Sequence, residues 1–155
     1  MLKAKGKKFI AENRKARHNY TIEAEYEAGI ILYGTEVKAL RNGQANLKDA
    51  YAKIKNQEVF LKQMHIGPYK HAGNTNHDSL RERKLLLHKR EIERLGVKLN
   101  ERGLSLIPLT LYFKDGKIKV SLALARGKQL HDKRDAIKAK DAEREIARTK
   151  KKYRT

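Results

Sequence analysis

The sequence contains no cysteine and no tryptophan, and it has only 2 prolines and 18 acidic residues among 155. Without cysteine the chain can form no disulfide, no thiolate zinc site and no cysteine nucleophile. No stretch approaches the roughly 18 consecutive apolar residues of a membrane-spanning helix, and no apolar run follows the lysines near the start, as it would in a secretory signal. We therefore expect a cytoplasmic protein of a reducing compartment, with no membrane partner.

The chain is highly charged, and most of its charged residues are basic. The 37 Lys and Arg residues outnumber the acidic residues enough to give a net charge of +19. Residues 126–155 hold 12 basic and 5 acidic groups but few large apolar side chains, so burial there cannot offset the entropy of ordering the segment. The sequence therefore predicts one globular domain, residues 1–125, and a basic tail, residues 126–155, that is disordered when free and becomes helical on RNA.

Alternating and helical patterns divide the globular part into short elements. Apolar and polar residues alternate over 20–26, which is typical of a half-buried strand. Thr35 is a plausible N-cap for a short helix that ends near Gly43. Further strands are predicted at 51–55 and 59–66, joined by a turn at Asn56-Gln57, and at 84–87. A second helix is predicted around Ile92, Leu95 and Leu99, ending by Gly103.

The clearest local signal is a hairpin at Asp115-Gly116, flanked by predicted strands at 104–113 and 117–125. Pro108 indicates that the first arm lies at a sheet edge or contains a bulge. The alternation on the second arm predicts one buried and one solvent-facing side. The order of strands, with helices inserted after the first and before the hairpin, is that of the OB-fold, so we predict a mainly β protein with flanking helices and an OB-like antiparallel barrel.

The histidines do not form a recognisable metal or catalytic pattern. His71 and His77 lie six residues apart in a Gly- and Asn-containing loop, and this spacing suits neither a helical nor a strand pair of ligands. The chain has no P-loop, no dinucleotide-binding glycine pattern and no nucleophile elbow. We expect no metal, no cofactor and no enzymatic activity.

The remaining signal is the positive charge. Lys and Arg clusters attract phosphate backbones, although any single basic run is more often a solvated face. A net charge of +19 spread over both body and tail favours nucleic acid, and the absence of helix-turn-helix, zinc-finger and zipper patterns favours RNA. Two alternatives stay open at this point: a ribosomal or rRNA-assembly protein, and an RNA-cleaving or RNA-modifying enzyme.

Five strings, ordered along almost the whole chain, resemble the SmpB family, the SsrA-binding proteins. The strings are Asn-Arg-Lys-Ala-Arg-His-Asn-Tyr at 13–20, Tyr-Glu-Ala-Gly at 26–29, Gly-Thr-Glu-Val-Lys-Ala-Leu-Arg at 34–41, Arg-Lys-Leu-Leu-Leu-His at 83–88 and Gly-Lys-Gln-Leu-His-Asp-Lys-Arg at 127–134. The resemblance implies an adaptor that binds the tRNA-like domain of transfer-messenger RNA (tmRNA) as a monomer and delivers it to stalled ribosomes. It also implies that the tail reaches the decoding site and the mRNA channel.

The resemblance also implies site residues. Glu27 matches an acidic RNA-binding position, for which the simpler interpretation is a strand-end carboxylate paired with a basic neighbour. Leu86 and His88 match a tmRNA-binding string, although Leu86 could equally belong to the core. The predicted tmRNA contacts are Glu27, Lys38, Arg41, Arg83, Lys84, Leu86 and His88. The predicted ribosome contacts in the tail are Gly127, Lys128, His131, Asp132, Lys133 and Arg134.

Overall fold

The computed structural model describes residues 7–101, 103–128, 142 and 144–146. In chain order the elements are β1 (Lys7–Glu12), α1 (Ala16–Asn19), β2 (Tyr20–Ile30), α2 (Gly34–Arg41), β3 (Ala45–Asn46), β4 (Tyr51–Lys55), β5 (Glu58–Lys62), β6 (His65–Ile66), a 3₁₀ turn (Gly73–Thr75), β7 (Arg83–Leu86), α3 (Lys89–Leu99), β8 (Leu104–Lys114) and β9 (Lys117–Gly127). The predicted fold, mainly β with flanking helices, is confirmed. Within the described part of the chain no helix is long and apolar enough to cross a bilayer.

Six of the strands close into a ring. The antiparallel order is β8-β4-β5-β7-β2-β9, and the pairing of β9 with β8 completes the circle. The first strand, β1, is added to β8 along residues 110–114, whereas β4 meets β8 at Leu106. The two-residue strands β3 and β6 form a small sheet of their own. The ring encloses the main core, which includes Leu61, Leu85, Leu95 and Leu122.

Two bulges move apolar side chains from one side of the sheet to the other. In β2 the register shifts between Ile22 and Ala24, and in β8 it shifts after Pro108, where we predicted an edge or a bulge. One extra residue reverses the alternation. Ile22, before the bulge, therefore packs into a second cluster outside the ring, whereas Ala24 and Tyr26, after it, pack against the main core.

This second cluster corrects one prediction about β9. Ala123 was expected on a solvent-facing side, but it is fully buried, as is Ala125, and both pack with Ala16, Ile107 and Leu109. The helix α1 carries Ala16 and covers this part of the outer surface. The face of β9 opposite the core is therefore covered at Ala123 and Ala125 and open to solvent towards the hairpin.

The two predicted tight turns are present. Asp115 and Gly116 have φ values of 51° and 76°, and Asn56 and Gln57 have φ values of 53° and 61°. Consecutive left-handed residues give a turn whose twist matches that of the flanking strands. The first pair joins β8 to β9 and the second joins β4 to β5.

Other boundaries differ from the predictions. The strand predicted at 59–66 ends at Lys62, because Gln63 adopts a left-handed φ of 62° and the chain then turns into β6. The strand β1 lies in a stretch for which the sequence predicted no element. The first turn of α2 begins at Gly34 with Tyr33 as its N-cap, so Thr35 is already inside the helix.

Candidate RNA-binding site

A row of residues that we call the outer row runs across five strands on the outside of the ring. Register pairs connect its members, Phe9, Tyr112, Lys119, Gly29 and Leu86, in that order. Residues paired across strands share a face of the sheet. The two ends of the row, Phe9 and Leu86, are 48% and 50% exposed, which is unusual for large apolar side chains. The row therefore offers apolar contact area beside a lysine.

Glu27 lies on the same outer face, two residues before Gly29. The Tyr112 hydroxyl donates to its Oε2 at 2.5 Å, and Lys114 Nζ lies 3.1 Å from its Oε1. The hydrogen bond from Tyr112 holds the pKa of Glu27 below its ordinary value, against the opposing effect of partial burial, and Lys114 lowers it further. The carboxylate is thus ionised and fixed in direction. Since a carboxylate has about four acceptor positions, these two donors leave capacity for an RNA group.

Tyr112 keeps its proton at this site. Burial, together with the neighbouring carboxylate of Glu27, raises the pKa of Tyr112 well above its ordinary value. Lys7 Nζ lies 4.9 Å from the centre of the ring, and Phe9 packs against it edge-on. Tyr112 and Lys114 were not predicted as site residues, because each contacts Glu27 across more than 80 positions of sequence.

Leu86 is exposed and does not belong to the core, which was the alternative left open for it. Its side chain lies over Gly29, where an added Cβ would come within 3.3 Å of Leu86 Cβ. Its neighbour Lys84 is paired with Glu58 at 3.0 Å. Glu27 and Leu86 thus lie near each other on one face, as the predicted site requires.

The other predicted tmRNA contacts in the body lie on helices. His88 is the exposed N-cap residue of α3, and its backbone N–H donates to Glu91 at 3.1 Å. Lys38 and Arg41 are exposed on α2, where Lys38 Nζ lies 5.3 Å from the centre of the Tyr69 ring. The partners of Glu27 are Tyr112 and Lys114, and none of these three helical residues is paired with it.

Arg83 does not fit the predicted role. Its side chain is 0% exposed, and it donates to the buried Glu36 carboxylate and, at 2.6 Å, to the carbonyl of Met64. Arg83 precedes the buried Leu85 by two residues in β7, so the alternation of the strand directs it inward. A buried guanidinium with these partners cannot contact RNA, and we remove Arg83 from the predicted contacts.

One of the two loop histidines has a structural role. His77 Nδ1 lies 3.0 Å from Thr35 Oγ1 and its Nε2 lies 3.0 Å from the carbonyl of Ile66, so the ring connects the loop to α2 and β6. His71 is exposed and packs edge-on against Tyr69. Among the residues described, no three His, Cys, Asp or Glu side chains are grouped so as to hold a metal ion.

The tail starts far from the outer row. Gly127 is paired with Tyr20 at the beginning of β2, and the N–H of Lys128 donates to the carbonyl of Asn19 at 3.0 Å. Seven residues of strand separate Tyr20 from Glu27, a span of about 23 Å. The remaining tail predictions, His131, Asp132, Lys133 and Arg134, lie outside the described residues.

A ring of strands with lysines and exposed apolar side chains around one ionised carboxylate, continued by a basic tail, defines a small RNA-binding protein of the mainly β class. The family described as SmpB protein matches residues 10–152 of the chain. The chain belongs to the SmpB family.

Individual relatives agree with this assignment. The chain is 57% identical to an SsrA-binding protein of Syntrophobacter fumaroxidans over 147 residues, covering 95% of this chain and 91% of the relative. It is 56% identical to an SsrA-binding protein of Staphylococcus aureus over 148 residues, covering 96% of each. A chain from a solved structure described as "tmRNA-SmpB: a journey to the center of the bacterial ribosome" superposes with a TM-score of 0.68 at 46% identity, covering 82% of this chain and 93% of that one.

Proposed function

We propose that this protein is an RNA-binding adaptor that binds the tRNA-like domain of tmRNA and delivers it to stalled ribosomes for trans-translation. The observation that carries the proposal is the placement of two RNA-binding regions at opposite ends of one strand. Glu27 and the outer row lie towards the end of β2, and the root of the basic tail is paired with its beginning. An adaptor needs two such surfaces on one rigid body.

The comparisons support both partners. The relatives are named SsrA-binding proteins, and the description of the superposed structure names tmRNA, SmpB and the bacterial ribosome. We assign the tmRNA contacts to Glu27, Lys38, Arg41, Lys84, Leu86 and His88, and the ribosome contacts to the tail residues 127–134. In this division residues 1–125 form the RNA-binding body and residues 126–155 form a tail that becomes helical on the ribosome.

We also propose that the protein acts by binding alone, in the cytoplasm where ribosomes work. Charge supplies affinity for phosphate, while the shaped face around Glu27 supplies the choice of RNA. Incubation with the protein is expected to leave tmRNA chemically unchanged. Cleavage or modification that disappears in the His88→Ala variant would instead identify an enzyme.

The function is tested by recovering the protein from cells at moderate salt and sequencing the bound RNA. Strong enrichment of tmRNA over total RNA is expected. Ribosomal RNA without tmRNA would contradict the proposal and would favour the alternative of a ribosomal or rRNA-assembly protein. A variant cut after residue 128 separates the two surfaces: it is expected to retain tmRNA and lose most ribosomal RNA.

Charge reversal at Glu27 is expected to weaken binding of the tRNA-like domain about 10-fold or more, since hydrogen bonds to charged groups contribute about 1.5–3 kcal/mol. Gel-shift titration measures the change. Glu25→Arg is the matched control, because Glu25 is also exposed on β2 and paired with a basic residue, Arg17, at 3.0 Å. Additional positive charge alone strengthens binding to RNA. Equal or tighter binding by the Glu27→Arg variant would therefore refute the site.

A further inference from the structure

An exposed tyrosine stands between β2 and α2, four residues beyond Gly29 of the outer row. Tyr33 is 56% exposed, and the guanidinium carbon of Arg81 lies 3.8 Å from the centre of its ring. The chain reaches Tyr33 alongside β7, where the N–H of Ile31 donates to the carbonyl of Lys84 at 3.0 Å. One face of the ring is thus covered by a planar cation, while more than half of the residue's surface stays accessible.

The Arg81–Tyr33 pair is held from beneath by one buried carboxylate. Glu36, whose side chain is 0% exposed, accepts from Arg81 Nη2 at 2.5 Å, from the N–H of Tyr33 at 2.8 Å and from Arg83 Nε. Burial by itself raises the pKa of Glu36, but these donors together hold it below its ordinary value. The ionised Glu36 therefore fixes both the backbone of Tyr33 and the guanidinium that covers its ring.

This network of buried charges would be an unfavourable choice if its only role were to stabilise the fold. Burying charged groups carries a large desolvation cost, and apolar residues of similar volume often give equal or greater stability. What the buried charges provide is a fixed geometry for a side chain at the surface. Beside Tyr33 lies an open depression of about 640 Å³, which also includes Lys38 and Asn76 in its lining.

We propose that Tyr33 is a stacking platform for one base of the bound RNA, with Arg81 as the residue that positions its ring and Lys38 facing the adjoining phosphate. The inference rests on the proposed function and extends the tmRNA-binding face beyond the outer row. An aromatic ring accepts any base on its open face, and a cation stacked behind it strengthens the platform. The lining of the depression holds Lys38 and Arg81 against one exposed carboxylate, Asp78, and the net charge of +19 on the whole chain favours a nucleic acid over an apolar partner.

The absence of tryptophan from the sequence allows a direct test. Tyr33→Trp places a single tryptophan at the platform, and the probe is the transcribed tRNA-like domain of tmRNA. We expect fluorescence quenching on binding, with an affinity within about 2-fold of the unmodified protein by gel shift. Tyr51→Trp is the control, because Tyr51 is 41% exposed on β4, on the opposite side of the ring. It is expected to show no quenching.

The outcomes separate the inference from the function. Binding without quenching at position 33 would overturn the platform and leave the adaptor function intact, whereas no binding by the unmodified protein would overturn both. Tyr33→Phe is expected to retain the affinity and Tyr33→Ala to lose about 10-fold; equal affinities would contradict stacking. In the Tyr33→Trp background, Arg81→Lys keeps the positive charge but replaces the planar guanidinium with an ammonium group. It should reduce the quenching at saturation, and unchanged quenching would refute the positioning role.

Discussion

Glu36→Gln is expected to lower the free energy of unfolding by about 3–5 kcal/mol, the usual cost of removing one partner of a buried ion pair. Arg83 is 0% exposed and would keep its charge without a counter-charge. Arg81 would lose the same partner. Urea unfolding followed by circular dichroism measures the loss, which would be a large part of the total stability of a domain of this size.

The control for this prediction is Glu58→Gln. Glu58 is paired with Lys84 at 3.0 Å, but both side chains are more than one-third exposed. Exposed pairs contribute about 0–1 kcal/mol, so this variant should unfold close to the unmodified protein. If Glu36→Gln also cost less than about 1 kcal/mol, the buried network would not be what stabilises the loop before β7.

The difference in stability between the unmodified protein and the Glu36→Gln variant should depend on pH. The pKa of Glu36 is lowered in the folded protein, so its ionisation contributes stability above the ordinary value of 4.5, and this contribution is lost as the pH falls through the lowered value. The difference in stability between the unmodified protein and Glu36→Gln should therefore be full at neutral pH and shrink in acid. A constant difference down to pH 3 would contradict the assignment.

Replacing Asp132, Lys133 and Arg134 together by alanine is expected to abolish tagging of stalled translation products while changing the affinity for tmRNA by less than about 2-fold. The tail begins at the Tyr20 end of β2, about 23 Å from Glu27, so a change there should not disturb the tmRNA face. A tagging assay in a purified translation system and a gel shift with the tRNA-like domain measure the two effects.

A second triple variant distinguishes a requirement for the particular residues at 132–134 from a requirement for the charge of the tail. Replacing Asp141, Arg144 and Arg148 by alanine removes one acidic and two basic groups, as the first variant does. If tagging depends on the residues at 132–134, this control should retain a measurable part of it. Equal loss in both would show that charge alone is needed, and a collapse of tmRNA affinity in the first variant would contradict the division between body and tail.

Local signals account for the parts of the fold that were predicted correctly. The turns at Asp115-Gly116 and Asn56-Gln57 each join two strands that are adjacent in the sequence, so the residues that form each hairpin are all local. The strand β1 was missed because its partner lies about 100 positions away, Lys7 being paired with Lys114. Its own sequence carries no clear alternation, so only the pairing with β8 makes it a strand.

The functional site, like β1, depends on contacts between residues that are far apart in the sequence. The family resemblance indicated Glu27 and Leu86, and the structure places them near each other. The resemblance did not indicate Tyr112 and Lys114 of β8, which donate to Glu27. Arg83 was assigned to RNA together with the rest of its string at 83–88, although its spacing from Leu85 directs it inward. Its carboxylate partner, Glu36, lies 47 residues away, and no local pattern connects the two.

Closure of the ring by β9 has a consequence for how the protein is made. Synthesis delivers β2 early, but Tyr20 finds its partner only when Gly127 has been added. A chain that stops before β9 leaves long edges open on β2 and β8, and such edges recruit other chains. A shortened product therefore has no folded body and is prone to aggregate, whereas a product that lacks only the tail can still close its ring.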